Sequence, residues 1–377
     1  MISVKKVIDE LNQKNSNLFK SFLPNSKYSF DFKDIKKFKK FKTITVIGMG
    51  GSILGTKAIY SFLKHKIKKK IIFIDNLDQA FLSKIKKKYN MSKTLFLIVS
   101  KSGNTNETII NLSCFKSFLN KSNTIVISEN KNNFLCSFAR NQGLTFIKHK
   151  PSIGGRYSVF SEVGMLPAYL MGLNPQNFKK NLPKLLNNKK FLSSSARRIS
   201  KLNVKKYKTL ILFNYVPELN DFLFWCQQLL AESLGKNKKG FMPVISNAPK
   251  DHHSLLQLYL DGPKDKIFYI FSSKQTKNLK INSNFFGKNM NYLNKKNYHD
   301  IKMSQKKAFI EVLRQNKNTF REIIVKKFNE DTLGKLFLSF ILETIILGKS
   351  MKVNPFDQPA VEKVKVLTKK FLTSKKF

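Results

Sequence analysis

Chemistry in this chain could rest on three hydroxyls in six residues, two glycine-rich turns, one glutamate in an apolar run and a histidine pair. The hydroxyls are Ser100, Ser102 and Thr105 in Val99-Ser-Lys-Ser-Gly-Asn-Thr-Asn-Glu-Thr108, with Lys101 among them and Gly103 relaxing the turn. Hydroxyls beside the amides of a helix N-terminus suit a dianionic phosphoryl group. The plainer reading is an N-cap with serine-rich turn chemistry. A second turn, Val46-Ile-Gly-Met-Gly-Gly-Ser-Ile-Leu-Gly55, closes a β-branched run with glycines and Ser52. Glycines there let backbone N–H groups approach an anion closely. Two such turns in one sheet favour phosphate binding over capping. Neither ends in the Gly-Lys-Ser/Thr of a P-loop, and the third glycine of a dinucleotide fingerprint would fall on Ile53. A phosphorylated small molecule therefore fits better than a nucleotide.

Arg156 follows two glycines in Gly154-Gly155-Arg156-Tyr157-Ser158, in a chain whose basic residues are mostly lysines. Its fork of donors suits an oxyanion, although a surface arginine after a turn looks the same in sequence. Glu232 lies near the end of an apolar helical run. It reads as a general base or as half of a surface pair with Lys236, four residues on. Asp251-His252-His253-Ser254-Leu255-Leu256-Gln257 holds two of the five histidines, and no HExxH motif or cysteine cluster supplies metal partners. Acid–base histidine and exposed pair both remain open. Lys365 lies on a last helix, about Pro359 to Phe371. Asp357 is the expected N-cap and Pro359 falls just inside.

The elements that must hold these side chains alternate regularly. Short apolar strands are expected at Thr43–Ile47, Ile71–Ile74, Leu95–Val99, Thr124–Ile127 and Leu144–Ile147, with helical stretches between. That spacing argues for βαβ units and a parallel, doubly wound sheet. One or two short helices precede it. Phe160–Leu173 reads as helical, and polar Asn177–Ser200 reads as a helical bridge between two domains. A second ladder is expected from strands at Thr209–Phe213, Met242–Ile245, Ile267–Phe271 and Glu322–Val325. Its helices fall at Asn220–Leu234, Gln305–Arg314 and Thr332–Leu347, with an exposed Asn/Lys-rich stretch at 274–300.

The 377 residues suffice for about two domains. A hydrophobic fraction of 42% excludes a disordered chain. The longest apolar run, Leu336 to Leu347, is interrupted by Glu343 and is too short for a membrane span. No secretory h-region follows Met1, and Cys114, Cys136 and Cys226 form no CxxC pair. A reducing, cytoplasmic setting is the expectation. The formal charge of +47 raises nucleic-acid binding as a possibility. However, the lysines are scattered through every segment and no RRM, KH or zinc-knuckle signature is present. Compositional drift explains the charge better, with some attraction of anionic substrates.

Taken in order, these stretches resemble the phosphoglucose isomerase (glucose-6-phosphate isomerase) family over roughly residues 46–365. The resemblance implies an α/β fold of two sugar isomerase (SIS) domains, each a flavodoxin-like parallel sheet flanked by helices, with a C-terminal helix. Residues 1–185 and 186–377 would be the two units. It implies reversible aldose–ketose isomerisation of glucose 6-phosphate and fructose 6-phosphate through a cis-enediol(ate), in glycolysis and gluconeogenesis. No metal or organic cofactor is implied, and the partner is a second copy sharing the active site. By this resemblance Gly51 and Ser52 form the first phosphate-side turn, and Ser100, Lys101, Ser102 and Thr105 form the phosphate loop. Arg156 lies over the enediolate, and Glu232 moves the proton between C2 and C1. His253 assists ring opening from the partner subunit, Gln358 lies near the phosphate and Lys365 near the ring oxygen. The chain departs from the family at Ser102-Gly103, where many members have Thr-Phe, at Met49, commonly isoleucine, and at Ala360, usually glycine. His252 beside His253 leaves two candidates for one role. A non-catalytic sugar-phosphate sensor would keep the two loops without needing Arg156, Glu232, His253 and Lys365 together.

Overall fold

The computed structural model describes residues 9, 16–188, 206–274, 279–281 and 286–374. Strands β1 (Thr43–Gly48), β2 (Lys70–Ile74), β3 (Thr94–Val99), β4 (Thr124–Ser128) and β5 (Thr145–Lys148) form one parallel sheet in the order β2-β1-β3-β4-β5. Strands β6 (Thr209–Asn214), β7 (Met242–Asn247), β8 (Lys266–Ser273) and β9 (Thr319–Val325) form a second, ordered β7-β6-β8-β9 and also parallel. Thr94-Leu-Phe-Leu-Ile-Val99 is buried along its whole length, as an uninterrupted apolar run must be when helices cover both faces of a sheet. In each sheet the chain leaves the first strand toward one side and returns on the other. This makes a topological switch point between β1 and β3, and another between β6 and β8, where ligand crevices form.

One hydrophobic core runs through both sheets, from Leu18 near the start to Val353 near the end. Its seam is the packing of helix Leu54–Phe62 against helix Asn220–Leu234, each the first α-helix after the first strand of its sheet. Ala58, Ile59 and Phe62 are buried on one, and Phe222, Trp225, Cys226 and Leu229 on the other. Large side chains buried this way are each worth about 1.5–3 kcal/mol, so the two sheets are firmly joined.

The expected strands and the Asn220–Leu234 helix are present. Several other elements differ for local reasons. Phe160–Leu173 is not one helix: a 3₁₀ segment, Gly155–Phe160, precedes helix Glu162–Leu170, and the Ser161 hydroxyl caps the new start by accepting from Val163 N. Of Asn177–Ser200, the start lies in the short helices Pro175–Lys179 and Leu182–Leu186, and residues 189–200 lie outside the described residues. The helix expected at Gln305–Arg314 spans Tyr298–Gln315, because Asn297 and Asp300 make a capping box upstream. The last helix runs Ala360–Thr373, and Asp357 is not its cap: Pro359 holds that position without a side-chain bond. The Asp357 carboxylate instead pairs with Lys236 at 2.9 Å.

Candidate active site

Both candidate anion-binding turns lie at the first switch point. Gly48 of β1 is in register with Val99 of β3, so Met49–Ser52 and Ser100–Thr105 leave the sheet side by side. Gly50 has a φ of +51°, which glycine tolerates at little cost. Gly51 admits no side chain: a Cβ there would lie 2.2 Å from the carbonyl carbon of Gly155. The loop carrying Arg156 is thereby pressed onto the first turn, and the Ser158 hydroxyl donates to the Gly155 carbonyl at 2.7 Å. In the second turn, Ser100 Oγ lies 2.8 Å from Thr105 Oγ1 and accepts from Gly103 N at 3.2 Å. Ser102 Oγ lies 3.4 Å from Thr105 Oγ1, so the three hydroxyls converge at the start of helix Asn106–Ser113.

Arg156 is the centre of the cluster. It is 2% exposed, and its guanidinium uses all five N–H groups. Nε donates to Ser233 Oγ at 2.8 Å. Nη1 donates to Glu232 Oε1 at 3.0 Å and to Gln358 Oε1 at 2.8 Å. Nη2 donates to the carbonyls of Pro355 at 2.6 Å and Asp357 at 3.0 Å. Tyr157 braces the same carbonyl, donating to Pro355 O at 2.9 Å, and burial pushes its hydroxyl pKa up. The other Glu232 oxygen accepts from the Gln228 amide at 3.0 Å. Gln228 also fills the space above Gly50, so the glutamate, the arginine and the first turn form one packed unit. The Glu232 side chain is 25% exposed and reaches solvent at the cluster's edge.

Lys236 is not the helical partner of Glu232. The helix ends at Leu234 with Gly235 as its C-cap, which ends the i,i+4 geometry. Lys236 swings to Asp357, and that hydrogen bond holds the Asp357 carboxyl below the usual range. Glu232 is left facing Arg156.

The structure thus brings together Gly51, Arg156, Glu232 and Gln358, and pairs Ser100, Ser102 and Thr105 beside them. Ser52 is half-buried in the first turn. Lys101 Nζ donates to the Pro151 carbonyl at 2.8 Å, with burial pushing its pKa down. His253 and Lys365 are not brought to this cluster. His252 is half-buried, lies 2.7 Å from the Tyr215 hydroxyl and has its pKa lowered by burial, whereas His253 beside it is exposed. Lys365 is 66% exposed and pairs with Glu362 at 2.6 Å, on a helix with no buried residue. The residues that sequence reasoning missed are Ser233, Gln228 and the Pro355 carbonyl. Ser233 and Gln228 sit on the Glu232 helix, where one turn's spacing from Glu232 was the available signal for Gln228. Among the described residues no group of three His, Cys, Asp or Glu is placed to hold a metal ion, and no helix is long and apolar enough to cross a membrane.

A family profile described as phosphoglucose isomerase matches residues 3–376. A glucose-6-phosphate isomerase of Methanocaldococcus jannaschii is 33% identical over 348 residues, covering 90% of this chain and 86% of that one. Among solved structures, a Thermus thermophilus protein superposes with a TM-score of 0.87 at 24% identity, over 98% of this chain and 94% of that chain. A glucose-6-phosphate isomerase of Chlamydia trachomatis gives a TM-score of 0.74 at 20% identity, over 90% and 71%.

Proposed function

The chain belongs to the phosphoglucose isomerase family, and on that premise we propose how its own residues interconvert glucose 6-phosphate and fructose 6-phosphate. The observation that carries the assignment is the Arg156–Glu232 pair at 3.0 Å, packed through Gly51 against the first anion-binding turn. The sugar's phosphate rests on the two turns at the switch point, held by amides of 49–52 and by Ser100, Ser102 and Thr105. Its binding energy positions C1 and C2. Glu232 removes the proton from C2 and returns it to C1, and the C2–H electron pair becomes the enediolate double bond. As Glu232 takes the proton, its charge leaves Arg156 and an equal charge develops on the enediolate oxygen. The guanidinium therefore exchanges one anion for another without moving, which is the preorganisation such a step needs. Gln358 completes the wall beside Arg156. His253 and Lys365 serve the ring oxygen and O1 in ring opening.

His253 reaches the site from a second copy. Two observations support a shared site: His253 is exposed while its neighbour His252 ties the segment to Tyr215, and the last helix begins two residues after Gln358 with an uncovered apolar stripe. Val361, Val364, Leu367, Phe371 and Leu372 are between 39% and 67% exposed on it. A helix of this length with no packed face is marginal in water, so a partner surface accounts for it. The two sheets are assigned to units at residues 1–185 and 186–377, a division supported by the helix end at Leu186 and the start of β6 at Thr209.

The test is Glu232→Gln. Turnover of fructose 6-phosphate should vanish while 6-phosphogluconate, a competitive analogue of the open sugar, still binds. An active Glu232→Gln enzyme would sink the assignment.

A further inference from the structure

Lys101 has two acceptors before any phosphate arrives. Its Nζ donates to Pro151 O at 2.8 Å and lies 3.7 Å from Glu129 Oε1. The Glu129 side chain, just past the end of β4, is only 9% exposed. Its second oxygen pairs with Lys131 at 2.7 Å, and Lys131 is 64% exposed. The same segment pins the phosphate loop at three points. Glu129 N donates to Lys101 O at 3.0 Å, Leu135 N to Gly103 O at 3.1 Å and Phe134 N to Asn104 Oδ1 at 2.8 Å. Asn133 Oδ1 lies 1.9 Å from where a Gly103 side chain would begin. The loop backbone is held at Lys101, Gly103 and Asn104, whereas the Lys101 ammonium can change partners.

We propose that Glu129 is a positioning residue, an anionic stand-in that holds Lys101 until the sugar's phosphate displaces it. This rests on the reading that Ser100–Thr105 grips the phosphate. A half-buried ammonium left without an anion is costly, so the loop needs a counter-ion before substrate binds. The charged groups facing Lys101 are Glu129, which favours its charged form, and Lys131 and Arg156, which oppose it. A phosphate dianion outcompetes a carboxylate already shared between two lysines. When Lys101 turns to the phosphate, Glu129 keeps Lys131, and no buried charge is stranded.

The test compares inorganic phosphate binding by titration calorimetry at neutral pH in four proteins: wild type, Glu129→Gln, Lys101→Met and the double variant. Glu129→Gln should bind phosphate roughly two- to five-fold more tightly, the range of a partly exposed ion pair. The KM for fructose 6-phosphate should fall by a similar factor with kcat little changed, and the gain should disappear in the Lys101→Met background. Binding equal to or weaker than wild type in Glu129→Gln overturns the proposal, as does a gain that survives in Lys101→Met. Ser100→Ala with Thr105→Ala separates this from failure of the loop itself. Lost phosphate binding in that variant supports the loop, and unchanged binding overturns the loop reading and the stand-in with it. Unfolding midpoints measured on each variant keep a folding defect from passing as a binding effect.

Discussion

All five donors of Arg156 are engaged inside the protein, so a cation of different shape cannot replace it. Arg156→Lys should lower kcat/KM by about 10²–10³-fold, the effect of losing an oxyanion donor. It should also cost about 2–3 kcal/mol of unfolding free energy, because buried carbonyls lose their donors. Steady-state kinetics and urea unfolding on one preparation check both. The sequence marked Arg156 as unusual and named Glu232 and Gln358 separately, yet these lie 76 and 202 residues away and nothing in their spacing tied them to it. A second residue-scale consequence lies outside the site. Lys179 is fully buried, 2.8 Å from Ser26 Oγ and 4.4 Å above the Tyr28 ring, and burial lowers its pKa to about 7 from 10.5. Its unfolded form holds the proton up to about pH 10.5, whereas the folded form has released it above about pH 7. The unfolded state thus binds more protons between those values, so this group makes stability rise with pH there, by up to about 1.4 kcal/mol per unit. Urea unfolding at pH 7, 8 and 9 should show that slope in wild type and a shallower one in Lys179→Met.

At the scale of elements, the site depends on a helix of the second sheet reaching over a turn of the first. Gln228 of that helix covers Gly50, and Gly51 sets how closely the Arg156 loop meets the same turn. Gly51→Ala would place a methyl group 2.2 Å from backbone that cannot step aside, pushing the Arg156 loop off the turn. Overpacking of this kind costs about 1–3 kcal/mol, and the displaced guanidinium should take most of the activity with it. A thermal midpoint and kcat/KM for that variant test the point; a near-wild-type enzyme would refute the close approach. The strands were legible as short apolar runs between helical stretches, and in β1 and β3 the run ends at a glycine or serine. The helix Asn220–Leu234 was legible from its apolar periodicity. The role of Lys236 was not, because a C-cap at Gly235 changed its direction. Nor was that of Asp357, which looked like a cap and serves as an ion-pair partner. Both outcomes depend on where Lys236 meets the distant segment that carries Asp357, and spacing along the chain does not encode that.

For the whole molecule, the +47 charge sets the terms of self-association. Two copies meeting through the last helix repel each other at long range, and salt screens that repulsion within about 10 Å at 0.1 M. The proposed dimer should therefore tighten as salt rises from about 50 to 300 mM, the reverse of a nucleic-acid complex. Sedimentation equilibrium measures it, and dissociation on adding salt would count against the apolar interface. A shared site makes a second prediction. Mixing inactive Glu232→Gln with inactive His253→Ala, after dissociation and reassociation, should restore about a quarter of wild-type activity, since half the dimers are mixed and each has one intact site. No recovery would place both residues in one chain's site. The closure of Arg156 also has a consequence in time. Two of its acceptors, the carbonyls of Pro355 and Asp357, lie 199 and 201 residues downstream. At about 5–20 residues per second, a ribosome takes roughly 10–40 s to deliver them after Arg156 emerges. Ser233 and Glu232 emerge earlier and can take Nε and Nη1, but throughout that interval Nη2 lacks the two carbonyls that hold it, so the proposed catalytic centre closes only after residues 355–358 have emerged.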